Sequence, residues 1–203
     1  MNAEAEEYYE YRELKNSVYG RLMDRAVDEL DRGVLFKSEG FHGEDHITRA
    51  IILGAYVAKG ENYSEEETKL LLLCCSYHDI GRSNDKRDDE HGPKAGEMIM
   101  AGRVAAMNKL SDDKRKIAAA AISVHSQSDT TAPMYEEKYG IEDHELFMKM
   151  MRGLKDADNL DRVRIRDLDT SHLRSDTAKN GVAFAENLLK IIPPAREPYW
   201  LNK

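Results

Sequence analysis

The chain has 203 residues, of which 41% are hydrophobic and 33% are charged, and its formal net charge at pH 7 is -8. This composition predicts a folded chain long enough to bury one sizeable core. The acidic charge disfavours binding to long nucleic acids, and no apolar run approaches the ~20 residues that a membrane-spanning helix requires. The N-terminus lacks the basic start and apolar stretch of a secretory signal, so we expect a cytoplasmic protein without a membrane partner.

Helical patterns dominate the first half of the chain. Residues 4–32 predict one long helix or two shorter ones, and residues 44–59 predict the next helix. A further helix begins at Ser64, because Glu67 three residues later completes the pattern of a capping box. This helix carries the almost uniformly apolar stretch 70–77, so we expect it to be central and buried.

The second half of the chain continues in the same way. Further helices are predicted over 92–107, 111–125, 142–158 and 177–191, with loops at 83–90 and 126–133. Strand signals are nearly absent, and we find no repeat, low-complexity tract or linker. The sequence therefore predicts an all-α fold, with residues 1–203 forming a single helical domain.

Histidine and aspartate residues at the predicted helix ends are candidates for metal ligands. They are His46, His78, Asp79, His91, His125 and Asp158, and His42 lies close to the first. Each signal is weak by itself, because a lone histidine at a helix end is a cap or surface residue roughly four times in five. As a set, imidazoles and carboxylates suit divalent Fe, Mn, Ni, Co or Zn. Four histidines and two aspartates could hold two ions, with one carboxylate bridging them.

The order His, His-Asp, His, His, Asp on an all-helical chain resembles the HD superfamily of metal-dependent phosphohydrolases. The strings that carry the resemblance are FHGEDHITRAIILGAYVAK, LLLLCCSYHDIGR, EHGPKAGEMI, AAAAISVHS and GLKDADNLDRVR. They cover about residues 40–166, with flanking helices outside the resemblance at both ends. The resemblance implies a single HD domain and a metal centre made by the six residues named above.

Local context within these strings implies which residues serve as ligands. His46 is favoured over His42, because only His46 has an arginine, Arg49, at the offset found in the family. Asp158 is favoured over Asp156, because the family's ligand is the aspartate of an Ala-Asp pair.

The two intermediate histidines, His91 and His125, resemble the two-metal branch of the superfamily. That branch includes bacterial diadenosine tetraphosphatases and the HD-GYP cyclic-dinucleotide phosphodiesterases. The chain departs from the HD-GYP group because no Gly-Tyr-Pro follows at the matching place, and from the guanosine tetraphosphate hydrolases because Ile80 and Gly81, not Glu-Asp, follow the His-Asp pair. We expect two ions bridged by Asp79, which is also expected to be catalytic.

Cationic residues beside the ligands are candidates for holding an anionic substrate. They are Arg49, Arg82, Lys86, Lys94 and Arg162. Arg82 is the strongest candidate and the second expected catalytic residue, because it follows the metal-binding pair directly. The alternative is that these cations are solvated surface charges, and that Arg82 pairs with Asp85, Asp88 or Asp89. His144 and His172 match no motif position and are expected at the surface.

The expected activity is hydrolysis of a phosphoester or phosphoanhydride in a small, nucleotide-like anion. Two alternatives remain open at the level of the sequence. Some HD-like proteins with a histidine-rich di-iron site are oxygenases, and they share this ligand set. A non-catalytic nucleotide-binding module is the third possibility, although such a role would not require six metal ligands.

Overall fold

The computed structural model describes residues 8–37 and 40–195, and in this part of the chain it is all-helical, without strands. The α-helices are α1 (Tyr9–Lys15), α2 (Val18–Asp28), α3 (Glu44–Gly60), α4 (Glu65–Tyr77), α5 (His91–Met100), α6 (Asp112–His125), α7 (Ala132–Tyr139), α8 (His144–Leu160), α9 (Asp176–Asn180) and α10 (Val182–Ile191). Short 3₁₀ helices cover Met107–Lys109, Asp129–Thr131, Asp161–Ile165 and Thr170–His172. The predicted all-α fold class is confirmed.

The N-terminal helical stretch is divided in two, which was one of the two predicted arrangements. Ser17 ends the first piece and caps the second, since its hydroxyl accepts a hydrogen bond from the backbone N–H of Gly20 at 3.2 Å. A side chain at Gly20 would lie 2.3 Å from the carbonyl oxygen of Leu14, so the tight turn between α1 and α2 requires glycine. Residues 4–7 of the predicted helix lie outside the described residues.

The start of α4 is a capping box, as predicted. The backbone N–H of Ser64 donates to Oε2 of Glu67 at 2.7 Å, and the backbone N–H of Glu67 donates to the Ser64 hydroxyl at 3.2 Å. Each bond satisfies a backbone donor that the first helical turn leaves without a partner.

Three helix boundaries differ from the predictions. Helix α5 ends at Met100 rather than near 107, because Gly102 adopts a positive φ of 75° and turns the chain. The predicted helix over 177–191 is broken at Gly181 into α9 and α10. The predicted loop over 126–133 gives way to α7 at Ala132, with a proline in its first turn, a position that proline tolerates.

Four helices, α3, α4, α6 and α8, contribute most of the buried apolar residues. Helix α4 is buried almost all round, as its apolar sequence predicts. Helices α5 and α6 approach closely at Gly96, where a Cβ atom would lie only 2.1 Å from the hydroxyl oxygen of Ser123. None of the helices among the described residues is long and apolar enough to cross a membrane. This rigid core fixes the helix ends that carry the histidines.

Candidate metal centre

All six predicted ligands meet at one place in the fold, where five helices begin or end. His46 lies in the first turn of α3, His78 and Asp79 directly follow α4, His91 begins α5, His125 ends α6, and Asp158 lies in the last turn of α8. The four histidines and Asp79 are buried, and the Asp158 side chain is 29% exposed. Groups of three among these residues have donor atoms close enough to hold a metal ion.

One half of this cluster surrounds one oxygen of Asp79. The Nε2 atoms of His46 and His78 lie 3.1 Å apart. Oδ2 of Asp79 lies 3.6 Å from Nε2 of His46 and 3.8 Å from Nε2 of His78. Oδ1 of Asp158 lies 3.5 Å and 3.7 Å from the same two nitrogens. Donor atoms of His46, His78 and Asp79 lie close enough to one another to hold an ion, and we call this half the His46 end. Asp158 lies beside both histidines and also forms a convergent group with His78 and His125, so it stands between the two halves.

The other half of the cluster surrounds the second oxygen of Asp79. The Nε2 atoms of His91 and His125 lie 2.8 Å apart. Oδ1 of Asp79 lies 3.1 Å from Nε2 of His91 and 3.8 Å from Nε2 of His125. Three donor atoms converge in this half, which we call the His91 end. Asp79 thus presents one carboxylate oxygen to each pair of histidines.

The orientation of the imidazole rings is fixed by hydrogen bonds from their outer nitrogens. Nδ1 of His78 donates to the carbonyl of Cys75 at 2.8 Å, and Nδ1 of His125 donates to the carbonyl of Ile122 at 2.6 Å. Nδ1 of His91 donates to the carbonyl of Asp88. Because a carbonyl can only accept, these Nδ1 atoms carry the proton and leave the inward Nε2 atoms as lone pairs in the neutral ring.

Burial favours the neutral form at two of these rings. It lowers the pKa of His46 and lowers the pKa of His125 to about 4. Although burial alone would lower the pKa of His78, the carboxylates of Asp79 and Asp158 outweigh it and raise that pKa. The inward nitrogens of each histidine pair lie only 2.8–3.1 Å apart, and in the neutral rings their lone pairs repel one another, a repulsion that a cation between them relieves.

The carboxylate of Asp79 has the charge and the free acceptor that a cation needs. Burial opposes ionisation, yet the imidazoles of His78, His125 and His91 and the guanidinium of Arg82 hold the pKa of Asp79 well below its ordinary value. Its Oδ2 atom is buried without a hydrogen-bond partner among the described residues. A buried, ionised oxygen without a donor is costly unless a cation binds it. The residues present therefore fit a bound metal.

His46 differs from the other three histidines in what holds its outer nitrogen. Its Nδ1 lies 2.7 Å from Oδ2 of Asp161, a carboxylate that is 1% exposed. Asp161 was not predicted, although its spacing from Asp158 repeats the three-residue spacing of His46 and Arg49 on α3. Two guanidiniums hold it: Arg49 donates through Nε at 2.6 Å, and Arg164 lies 3.2 Å from Oδ2.

Arg49, which we expected at the substrate, has protein partners in the structure. Arg49 is fully buried, and its remaining donors are taken by Asp45 at 3.0 Å and by the carbonyl of Ile192 at 3.1 Å. Its contacts with Asp161 support the carboxylate that in turn holds His46. The local motif could not reveal this, because Asp161 lies 112 residues further along the chain.

Arg82 is the predicted cation that contacts the cluster directly. Its Nε donates to Oδ1 of Asp79 at 2.7 Å, and Nη1 lies 3.4 Å from the carbonyl of Lys86. The anticipated surface pairing with Asp85, Asp88 or Asp89 is not observed among the described hydrogen bonds and ion pairs of Arg82. Nη2 has no hydrogen-bond partner in the described part of the chain, so part of the fork remains available to an anion.

The remaining predicted cations lie further from the cluster. Lys86 is exposed. Lys94 is 53% exposed and lies 3.5 Å from Asp88, and Arg162 pairs with Asp167. Asp167 is a surface carboxylate, whereas the Asp88 side chain is only 17% exposed and the Asp88 carbonyl accepts the Nδ1–H of His91. The described contacts place none of these three cations directly against a ligand side chain.

Two residues that the motifs set aside have other roles. His42 lies edge-on to His46 with ring centres 5.9 Å apart, and its Nδ1 is 3.0 Å from Asp85, outside the convergent donor groups. Asp156 points away from the cluster, because its oxygens accept hydrogen bonds from the backbone of Arg174 at 2.7 Å and of Ser175 at 2.8 Å.

His144 and His172 are 62% and 69% exposed, as predicted.

An ion-pair network around the half-exposed Asp129 ties the segment after α6 to α8. The ammonium group of Lys155, one turn before Asp158, donates to Asp129 at 2.5 Å and to the carbonyl of Gln127 at 2.7 Å. Arg174 donates to both oxygens of Asp129, at 2.9 and 2.7 Å. Although burial alone would raise it, these cations lower the pKa of Asp129 to about 2. The network holds the segment after His125 against the helix that carries Asp158.

Comparison of the chain with known protein families, curated proteins and solved structures identified no related protein. The chain matches no family model, no curated protein and no solved structure.

Proposed function

We propose that this protein is an HD-type metal-dependent phosphohydrolase that binds two divalent ions and cleaves a phosphoester or phosphoanhydride of a nucleotide-like small molecule. The observation that carries the proposal is the position of Asp79, whose two oxygens face different pairs of buried histidines. This is the ligand arrangement expected of a carboxylate shared by two ions. The four imidazoles and two carboxylates suit Fe, Mn, Ni, Co or Zn.

The protein's own contribution is to hold these donors in place. Two bound ions would lower the pKa of a water molecule and would stabilise the charge that develops on a phosphoryl group. The Nδ1 hydrogen bonds keep the four rings aimed inward, so little reorganisation is required during the reaction. Burial of the ring nitrogens strengthens every electrostatic interaction made there.

Arg82 is proposed to position the anionic group of the substrate. Its side chain is only 11% exposed and already lies against Asp79, and its Nη2 is uncommitted within the described residues. A guanidinium fork matches two phosphate oxygens, which makes a phosphoryl substrate a better fit than a neutral one. The net charge of -8 favours a small anion over a long nucleic acid.

The proposal is tested by reconstituting metal-stripped protein with each candidate metal and measuring phosphate release from a panel of nucleotides under argon. Metal-dependent phosphate release without oxygen is the expected result. Oxygen uptake coupled to substrate loss, with no turnover under argon, would instead identify an oxygenase. Nucleotide binding without turnover under either atmosphere would identify a binding module and refute the enzyme proposal.

A further inference from the structure

The two ends of the metal centre are built from unequal sets of residues. Each end receives one oxygen of Asp79, but the second carboxylate is placed unequally: Oδ1 of Asp158 lies 3.5 Å and 3.7 Å from Nε2 of both histidines of the His46 end, whereas at the His91 end Asp158 forms a convergent group only with His125. At the His91 end, the guanidinium of Arg82 also lies 2.7 Å from Oδ1 of Asp79. The positive charge of Arg82 therefore opposes the binding of a cation at Oδ1, whereas Arg82 makes no direct contact with Oδ2.

The groups that accept hydrogen bonds from the outer nitrogens of the histidines also favour the His46 end. Three of the four rings donate Nδ1–H to neutral backbone carbonyls. Only His46 donates to a carboxylate, Asp161, over 2.7 Å. A carboxylate behind an imidazole fixes the ring and makes the opposite nitrogen a stronger donor to a metal than a carbonyl does.

The carboxylate of Asp161 is itself prevented from rotating away. Arg49 contacts both of its oxygens, through Nε at 2.6 Å and Nη2 at 3.2 Å, and Arg164 contacts Oδ2 at 3.2 Å. All three side chains are almost completely buried. The helix α3 that carries His46 also carries Arg49, so the ring and the arginine that fixes its partner share one rigid element.

We propose that Asp161 is a positioning residue that makes the His46 end the tighter of the two metal sites, so that the protein fills in two steps, His46 end first. This inference rests on the proposed metal centre and deepens it. It predicts one ion retained through purification steps that remove the other. The loosely held ion, at the His91 end, is the one beside Arg82 and the expected substrate position.

The experiment uses the full chain, stripped of metal and titrated with Zn²⁺ alone against a competing chromophoric chelator. Asp161→Asn keeps the shape of the side chain but removes the negative charge that balances two buried arginines, so this variant is expected to be destabilised. The double variant Asp161→Asn/Arg164→Gln removes one charge of each sign and is therefore the working variant. Circular dichroism establishes that each protein is folded before titration.

Two matched controls separate the effect of losing the Asp161–His46 hydrogen bond from the effect of losing a charged side chain in the same cluster. Arg164→Gln by itself keeps the Asp161–His46 bond. Asp45→Asn removes the other carboxylate that binds Arg49, at 3.0 Å, without removing the carboxylate behind His46. Histidine ¹⁵N–¹H spectra provide a readout independent of activity, because the Nδ1 proton of His46 should shift in the double variant while those of His78, His91 and His125 remain.

The expected result is two-step binding in the parent, with the tighter step weakened roughly 10- to 100-fold in the double variant. The tighter step should weaken clearly less in Arg164→Gln, which keeps the carboxylate behind His46, and should stay within threefold of the parent in Asp45→Asn. Unchanged tight binding in the double variant, loss confined to the weaker step, or equal loss in a control would overturn the role of Asp161. Failure of the parent to bind Zn²⁺ at all would instead overturn the metal centre itself.

Discussion

Replacing Arg82 by alanine should damage catalysis while leaving metal content intact. The side chain is 11% exposed, and its Nε lies 2.7 Å from Oδ1 of Asp79, so solvent screens its charge only weakly. Loss of one charge-assisted hydrogen bond to a substrate anion costs ~1.5–3 kcal/mol, which corresponds to roughly a ten- to hundredfold loss of kcat/KM. Metal affinity should not fall, because removing a cation beside Asp79 removes repulsion.

The assay is steady-state phosphate release by the metal-reconstituted enzyme, with metal content measured on the same samples. Arg87→Ala is the matched control, since Arg87 belongs to the same loop, is 89% exposed and pairs only with nearby Asp89 among the described residues. It should remain within a factor of two of the parent, because exposed ion pairs contribute little. If Arg82→Ala also stays within a factor of two, or loses its metal, the substrate-positioning role is refuted.

Three further outcomes are expected. Asp79→Ala should abolish phosphate release and lower metal content, because one carboxylate serves both histidine pairs; near-normal turnover in a folded variant would remove Asp79 from the mechanism. Gly96→Ala should reduce the free energy of unfolding by ~1–3 kcal/mol in denaturant titrations, because its Cβ would lie 2.1 Å from a Ser123 oxygen and 2.7 Å from a carbonyl of α6; unchanged stability would show that α5 can shift freely. Because the folded pKa of Asp129 is depressed to about 2, its charged form stabilises the fold above pH ~4, and this stability disappears as pH falls from ~4 towards 2. Asp129→Asn should therefore be less stable than the parent at neutral pH, with a gap that narrows over that interval; a gap independent of pH would contradict the assignment.

Much of the helical framework was predictable because its signals are local. The capping box at Ser64 and Glu67 involves residues three positions apart, and the apolar stretch of α4 predicts burial whatever it packs against. The boundaries that were wrong depend on single backbone choices. Gly102 ends α5 because it adopts a positive φ. The sequence pattern around a glycine does not indicate whether that glycine will adopt a positive φ or continue the helix.

The six clustered residues were also identifiable from sequence, through short strings whose order resembles a known superfamily. Their pattern indicated which side chains should meet, and the fold brings them together at the helix ends. The same reasoning did not anticipate the partner of Arg49, because a motif records a residue and its spacing only. Arg49 was expected at the substrate and is instead buried against Asp161.

The all-α fold class, the capping box of α4 and the identity of the candidate ligands were thus determined by the sequence alone, since propensity, periodicity and motif spacing act over a few residues. The division of the centre into two unequal ends was decided only by the tertiary structure. It depends on which oxygen of Asp79 faces which histidine pair, and on the meeting of His46 with Asp161, 115 residues away. Such contacts follow from how the helices pack, because the direction of a carboxylate is set by every neighbour that surrounds it.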